Sequence, residues 1–289
     1  MDHKDSEHYT GMSKNTPPSA LKNNTDAVNP ALAAPNVPGR TVPAQRSAML
    51  MITCLCDGFF DSAARAAVEV LEHLGCTLSF PTDQTCCGQP AFNAGAWSDA
   101  RRVVRHAVRV FRDDRPVVIP SSSCTAMVRH GAPLAFADEP DLSDILDLAQ
   151  RTWELADYIV HGLGIQSWPG AYPARVAFHR SCHTRFSQSA EAAQQLLQSI
   201  EGLELMDVDE SDQCCGFGGT FSISHPFVST AMGKRKSDHL LENNPDCIAA
   251  LDTGCLLHLG GFIEKRNPSV RRVHVVEILR DALTRKGVS

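Results

Sequence analysis

Gln84-Thr85-Cys86-Cys87-Gly88-Gln89-Pro90 and, further on, Cys214-Cys215-Gly216-Phe217-Gly218-Gly219 each place two neighbouring cysteines before a glycine. The separation between them decides how the chain is read. Cys86 and Cys87 recur as Cys214 and Cys215 with an offset of 128, and the earlier Cys54 recurs as Cys182 with the same offset. The later Cys124 recurs as Cys255 with an offset of 131. In each half 31 residues separate the first cysteine from the pair; 36 then precede the last cysteine in the first half and 39 in the second. A register kept this tightly marks an internal repeat. Adjacent thiols can face one centre only from an irregular turn, and the following glycine supplies the backbone freedom for it.

Working outward, each cysteine follows a strand-like run. Ala48-Met49-Leu50-Met51-Ile52-Thr53 is a short apolar stretch of the kind expected in a buried parallel strand, and it leads to Cys54. Ala63, Ala67, Val70, Leu71 and Leu74 recur at helical spacing, with Asp61 expected as N-cap and Gly75 as stop. A second strand is expected over 76–80, a helix carrying Val104, Ala107, Val108 and Phe111 on one face, and a third strand over 116–120 leading to Cys124. The order then returns: a strand over 175–178 before Cys182, a helical face of Ala192, Leu196, Leu197 and Ile200, and a strand over 203–208 before Cys214. A helix within 225–243, opened by His225-Pro226, and a strand over 247–251 complete the second half and lead to Cys255.

The fold class that follows is α/β, in two tandem related halves with parallel-sheet character, residues 48–170 and 171–289. Each half carries its cysteines at the carboxyl ends of strands, where open α/β sheets place their ligands. Residues 1–47 are polar, dotted with prolines and without hydrophobic period, and are expected to form a disordered tail.

Composition sets outer limits. The chain has 289 residues, 43% hydrophobic and 21% charged, enough for one large domain or two smaller ones. A formal charge of −6 disfavours nucleic acid as the main partner. No run approaches the roughly 18 apolar residues of a membrane span, and no apolar stretch follows a basic start, so a cytoplasmic location is expected. In that compartment thiols stay reduced, and eleven cysteines read as metal ligands or redox groups rather than disulfides.

Four repeated thiols per half is a ligand count: Cys54, Cys86, Cys87 and Cys124 for one centre, Cys182, Cys214, Cys215 and Cys255 for the other. Soft thiolates select zinc, copper(I) or iron–sulfur clusters. Structural zinc sites use ligand spacings of about two to four residues, whereas these thiols are scattered over strand ends, which favours a cluster and leaves zinc in one half as the alternative. Cys76 and Cys247 lie in strand-like runs and read as core, while Cys56, two residues after a candidate ligand, is open between core and an accessory thiol. His179, His183 and His258 flank the cysteines as candidate outer-shell groups or replacement ligands. Arg101, Arg105, Arg109 and Arg112 form a basic stripe, either a solvated face or a docking patch for an acidic partner.

The stretches Thr53-Cys54-Leu55, Gln84 to Pro90, Ser123-Cys124-Thr125-Ala126-Met127-Val128-Arg129-His130, His179-Arg180-Ser181-Cys182-His183, Cys214 to Phe221 and Gly254-Cys255-Leu256 resemble the lactate utilisation protein A family. These are cysteine-rich CCG-domain iron–sulfur oxidoreductases related to the CCG-containing chain of heterodisulfide reductase. The resemblance implies an iron–sulfur electron-transfer subunit of a complex that oxidises L-lactate to pyruvate, with a 4Fe–4S cluster expected in each half. It also implies partner subunits, among them a ferredoxin-type iron–sulfur protein, because this chain has no Cys-x2-Cys-x2-Cys-x3-Cys run of its own. The alternative is a thiol–disulfide reductase of the heterodisulfide type, whose cluster cleaves a substrate disulfide. Ser121 and Asp252 stand where heterodisulfide reductase relatives carry the first cysteine of a Cys-x-x-Cys pair, which leaves four thiols per half.

Overall fold

The computed structural model describes Val42, Pro43 and residues 45–284. The expectation of a disordered tail falls mostly outside these residues, and Ser47 already opens the first strand. In the first half the chain runs β1 (Ser47–Leu50), α1 (Cys54–Phe59), α2 (Asp61–His73), β2 (Thr77–Ser79), α3 (Gln89–Asn93), α4 (Trp97–Val110), β3 (Val117–Ile119), α5 (Ser122–Ala126), α6 (Ala132–Ala135), α7 (Leu142–Arg151), β4 (Thr152–Glu154) and α8 (Leu155–Asp157). In the second it runs β5 (Ala171–His179), α9 (Ser189–Gln198), β6 (Glu201–Met206), α10 (Phe221–Ser224), α11 (Pro226–Leu241), β7 (Cys247–Ala250), α12 (Thr253–Arg266), β8 (Arg271–His274) and α13 (Val275–Thr284).

Both halves build a four-stranded parallel sheet of one design. The orders are β2-β1-β3-β4 and β6-β5-β7-β8. From the first strand the chain steps to one side and then returns to the other, so a crevice opens at the carboxyl ends beside β1 and β5. The registers repeat as well: Met49 pairs with Val117, and Ala177, 128 residues on, pairs with Ile248. The central strands are apolar on both faces because helices cover both sides, as for Val117-Val118-Ile119 and Cys247-Ile248-Ala249-Ala250, all buried.

The fourth strand of each sheet lies outside the sequence expectation. Polar residues disguise both. β4 ends in Glu154, which is fully buried and spends one carboxylate oxygen on the N–H groups of Ala156 (2.8 Å) and Asp157 (3.2 Å). β8 begins with Arg271 and Arg272; the Arg271 guanidinium lies over the Tyr172 ring, 5.6 Å from its centre, and donates to the Tyr172 hydroxyl at 2.8 Å. Asp61, expected as an N-cap, is the first residue of α2 instead; Phe60 holds the cap position without a side-chain bond. There Asp61 still favours the positive end of the helix.

The largest apolar core runs through both halves, from Leu50 and Val118 to Val176 and Leu279. α13, the last element of the second half, packs on α2 of the first. Val70 and Leu71 on α2 and Ile278 and Leu279 on α13 are all fully buried there. Ser62 donates to the Glu277 carboxylate at 2.5 Å and Trp168 Nε1 donates to the Leu279 carbonyl at 2.7 Å. Replacing Leu279 by Ala is expected to cost about 2–5 kcal/mol of unfolding free energy in urea titration. Replacing Leu257, 39% exposed on α12, should cost well under half as much.

Candidate metal centre

The thiols are placed by local chemistry that follows each strand. After β1, the Thr53 hydroxyl caps α1 by accepting from the Cys56 N–H at 3.2 Å, which sets Cys54 at the first helical position. Gln84 ties the next loop to the end of β1: its Oε1 accepts from Ile52 N–H at 2.8 Å and its Nε2 donates to Pro81 O at 3.0 Å. That loop delivers Cys86 and Cys87, and Gly88 turns the chain at φ 91° into α3. After β3, the Ser121 hydroxyl caps α5 and accepts from Cys124 N–H at 3.3 Å. Cys54 Sγ and Cys86 Sγ lie 3.8 Å apart, and Cys87 Sγ and Cys124 Sγ 3.3 Å.

The second half repeats this plan with different anchors. The loop ahead of Cys214 is held by Lys236, a fully buried lysine of α11 whose Nζ donates to the carbonyls of Glu210 (2.8 Å) and Ser211 (3.0 Å). Burial lowers its pKa to about 8. Backbone N–H groups then face sulfur: Gly216 N–H donates to Cys214 Sγ at 3.4 Å and Phe217 N–H to Cys215 Sγ at 3.5 Å. Gly88 N–H does the same for Cys86 at 3.5 Å. Cys215 Sγ and Cys255 Sγ are 3.0 Å apart, and Cys182 Sγ lies 3.5 Å from His183 Nδ1. No disulfide joins any of the eleven cysteines.

The electrostatics repeat too. Contact with Cys54 and then Cys87 holds Cys86 far below the ordinary thiol range, with the Gly88 N–H assisting against burial. Contact with Cys182 and Cys215 does the same for Cys214. Cys54 and Cys182 are pushed up by those contacts and by burial, and Cys87 and Cys215 rise for the same reasons. Each set therefore carries one preferred thiolate, and taking up a metal must displace protons from the rest.

All eight repeated cysteines line a single half-enclosed cavity of about 350 Å³ between the two halves. The sequence expectation of one centre per half did not anticipate that both sets open on the same space. What brings them together is Asp252. It is buried, three residues before Cys255, at the position equivalent to Ser121, three residues before Cys124. Its carboxylate accepts from the hydroxyls of Ser121 (2.9 Å) and Ser122 and from the N–H of Ser123 (2.8 Å), all in the first half. Burial works against ionisation of Asp252, but the hydroxyls of Ser122 and Ser181 and the N–H of Ser123 outweigh it and hold the carboxyl below its ordinary value.

The remaining candidates separate clearly. Cys56, Cys76 and Cys247 are buried in the main core and do not line the cavity. His183 lines the cavity and lies 3.2 Å from Gln89 of the first half. His258 turns to Ser229, 3.3 Å from its hydroxyl, and packs between Phe217 and Phe262. His179 is fully buried, and burial lowers its pKa to about 4. Half of the arginine stripe is used inside the fold: Arg105 binds Asp141 at 2.6 Å and Glu139 at 2.7 Å, and Arg101 donates to Ala135 O at 2.8 Å. Gln84, Lys236 and the serines that face Asp252 are functional supports that carry no signal in the sequence beyond their nearness to the motifs.

Fold and site together define a protein of two cysteine-rich repeats, and the cysteine-rich CCG domain matches twice, over residues 49–129 and 176–260. Lactate utilization protein A of Oceanobacillus iheyensis is 38% identical over 232 residues, covering 80% of this chain and 95% of that protein. The protein of the same name from Geobacillus thermodenitrificans is 39% identical over 232 residues, covering 80% and 97%. The chain belongs to the lactate utilization protein A family. A crystal structure of a hypothetical protein from Helicobacter pylori matches with a TM-score of 0.55 at 14% identity, over 89% of this chain and 53% of that one, a likeness of fold alone.

Two outcomes test the geometry. Gly88 and Gly216 both have positive φ, but a Cβ on Gly216 would lie 2.8 Å from Ser229 O, whereas on Gly88 the nearest atom is 3.4 Å away. Gly216→Ala should therefore lower the melting temperature and metal content more than Gly88→Ala, which carries only the left-handed strain of about 1–2 kcal/mol. Asp252 has a depressed carboxyl, so its ionised form contributes stability that is present above about pH 4 and lost as the pH falls below it. In urea titrations of metal-free protein, Asp252→Asn should be much less stable than wild type at pH 7, and the gap should narrow below about pH 4.

Proposed function

We propose that this chain is a cytoplasmic iron–sulfur electron-transfer subunit in the oxidation of L-lactate to pyruvate. The observation that carries this reading is the convergence of eight repeated thiols on one cavity at the carboxyl ends of two related sheets. The residues fit an iron–sulfur group: soft donors, one preferred thiolate per set, and backbone N–H groups aimed at sulfur from glycine turns. When bound, such a cluster stores and passes single electrons. Cys54, Cys86, Cys87 and Cys124 would hold one 4Fe–4S cluster, and Cys182, Cys214, Cys215 and Cys255 the other. The protein's own part is to hold the thiolates, exclude water and set potential through burial and N–H···S bonds.

The relatives' names support lactate as the source of electrons. The chain itself presents no ferredoxin-type cysteine run, so the electrons pass to or from partner subunits, one of them a ferredoxin-type iron–sulfur protein. A second reading, a cluster that cleaves a substrate disulfide, draws support from the cavity, whose volume of about 350 Å³ admits a small molecule. Anaerobic reconstitution followed by iron, sulfide and zinc analysis, then reduction by L-lactate in the presence of the partner subunits, separates these readings. Lactate-dependent reduction supports the first, turnover of a disulfide by the isolated chain supports the second, and zinc without sulfide rejects both.

Ligand roles are tested by two serine variants. Cys215→Ser is expected to remove roughly half of the iron, because a hydroxyl is a harder and much less acidic donor. Cys247→Ser, in a buried strand, should keep the iron and lose about 1–3 kcal/mol of stability. Equal iron loss in both, with both folded, would break the assignment.

A further inference from the structure

Arg109 and Arg112 are the half of the arginine stripe that the fold does not use. Arg101 and Arg105 are bound to Glu139 and Asp141, whereas Arg109 and Arg112, both exposed, make no ion pair among the described residues. Arg109 lies in the last turn of α4 and Arg112 just beyond it. With the loop that follows β2 they wall an open groove of about 820 Å³. Phe80, 53% exposed, and Val110 give this groove an apolar surface, and Asp83 is the one carboxylate lining it among the described residues. His106 Nε2 lies 2.7 Å from Asp83 O and ties the loop to the helix, so the groove is already shaped before anything enters it. Thr85 lines the groove, while the next two residues, Cys86 and Cys87, line the thiol cavity. Neighbouring Cα atoms stand about 3.8 Å apart, so a single stretch of backbone separates the groove from the first centre.

The repeat supplies a second observation. Residues 80–85 correspond, at the offset of 128, to residues 208–213, and these line a groove in the second half. There Asp209, Glu210 and Asp212 face one cation, Arg185. Equivalent surfaces beside the two cysteine pairs therefore carry opposite charge. In a chain with a formal charge of −6, the first groove attracts an acidic protein where most of the surface repels one. Guanidinium groups bind carboxylates through paired hydrogen bonds, and arginine and aromatic side chains are enriched at protein interfaces. Building on the reading of this chain as an electron-transfer subunit, we propose that the groove of Phe80, Arg109 and Arg112 docks an acidic face of the redox protein with which it exchanges electrons. One electron then passes between the partner's redox centre and the first cluster, the donor being oxidised as the acceptor is reduced. The acidic groove of the second half turns the same face away.

The test uses the full chain, reconstituted anaerobically with iron and sulfide, and its purified lactate-oxidising partner subunits. Association is followed by surface plasmon resonance and cluster reduction by stopped-flow absorbance after L-lactate is added. Each is measured at low salt and at about 1 M salt, where charges are screened beyond about 3 Å. Arg109→Glu combined with Arg112→Glu should slow association about tenfold or more at low salt and far less at high salt, and lactate-dependent reduction should slow with it. Arg109→Gln combined with Arg112→Gln, which adds no repulsion, should give a smaller loss of the same sign. Phe80→Ser should weaken binding and leave its salt dependence intact. All three should keep the iron content and melting temperature of the wild type, and the glutamine pair decides the matter should the glutamate pair lose iron. Asp209→Lys should bind the partner at least as well as the wild type. Unchanged association in the arginine variants, or a loss in Asp209→Lys as large as theirs, overturns the proposal. The two levels of failure are distinct. A wild type reduced by lactate no faster than the arginine variants refutes the groove alone. A wild type that binds through these arginines and is never reduced refutes the electron-transfer reading, and one that binds no partner refutes both.

Discussion

A carboxylate withdrawn from water, that of Asp252, is the interaction on which the arrangement of this protein turns. Desolvating such a group is costly, and the charge persists because hydrogen-bond donors surround it. Donors from Ser121, Ser122 and Ser123 belong to the other half and Ser181 of its own half adds one more, so the charge of one half is stabilised largely by the other. Asp252 also stands at the N-terminus of α12, a helix of 14 residues whose dipole favours an anion there. Ser121 and Asp252 occupy equivalent places in the repeat, and the direct bond between them means that the halves meet like to like. That is what turns two crevices, each at the edge of its own sheet, toward one space.

Around this junction the repeat keeps its geometry while changing its chemistry. An uncharged amide, Gln84, steadies the first cysteine-pair loop, and a buried ammonium, Lys236, steadies the second. Gly88 sits in relative freedom, whereas Gly216 is pressed against Ser229 O of α11. Met51 and His179 fill equivalent positions with a thioether and an imidazole. Duplicated folds diverge in this way because the strands and turns that place ligands tolerate little change, while the side chains around them can be exchanged without moving the backbone.

Much of this was legible in the sequence. The cysteine offsets exposed the repeat, and apolar runs such as Val117-Val118-Ile119 located strands buried on both faces. β4 and β8 escaped because Glu154 and Arg271 read as surface residues; only the neighbouring N–H groups of α8 and the ring of Tyr172 make them tolerable where they are. The shared cavity was illegible for another reason. A repeat fixes the structure within each half and carries no information about the rotation between them, which rests on bonds such as Ser121 to Asp252 that link residues 131 apart. His179 was visible as a flanking histidine, but its separation from His258 in role depends on which of them finds an oxygen: Ser229 answers His258, and nothing among the described residues answers His179.

The packing of α13 on α2 bears on how the molecule is made. Ser62 and Glu277, which join these helices, are 215 residues apart. At synthesis rates of about 5–20 residues per second, α2 leaves the ribosome roughly 10–40 seconds before its partner exists. Through that interval the apolar stripe of Ala63, Ala66, Val70 and Leu71 lacks the helix that covers it in the folded chain. The nascent chain thus carries an adhesive helix face until the last helix arrives and fastens the second half to the first.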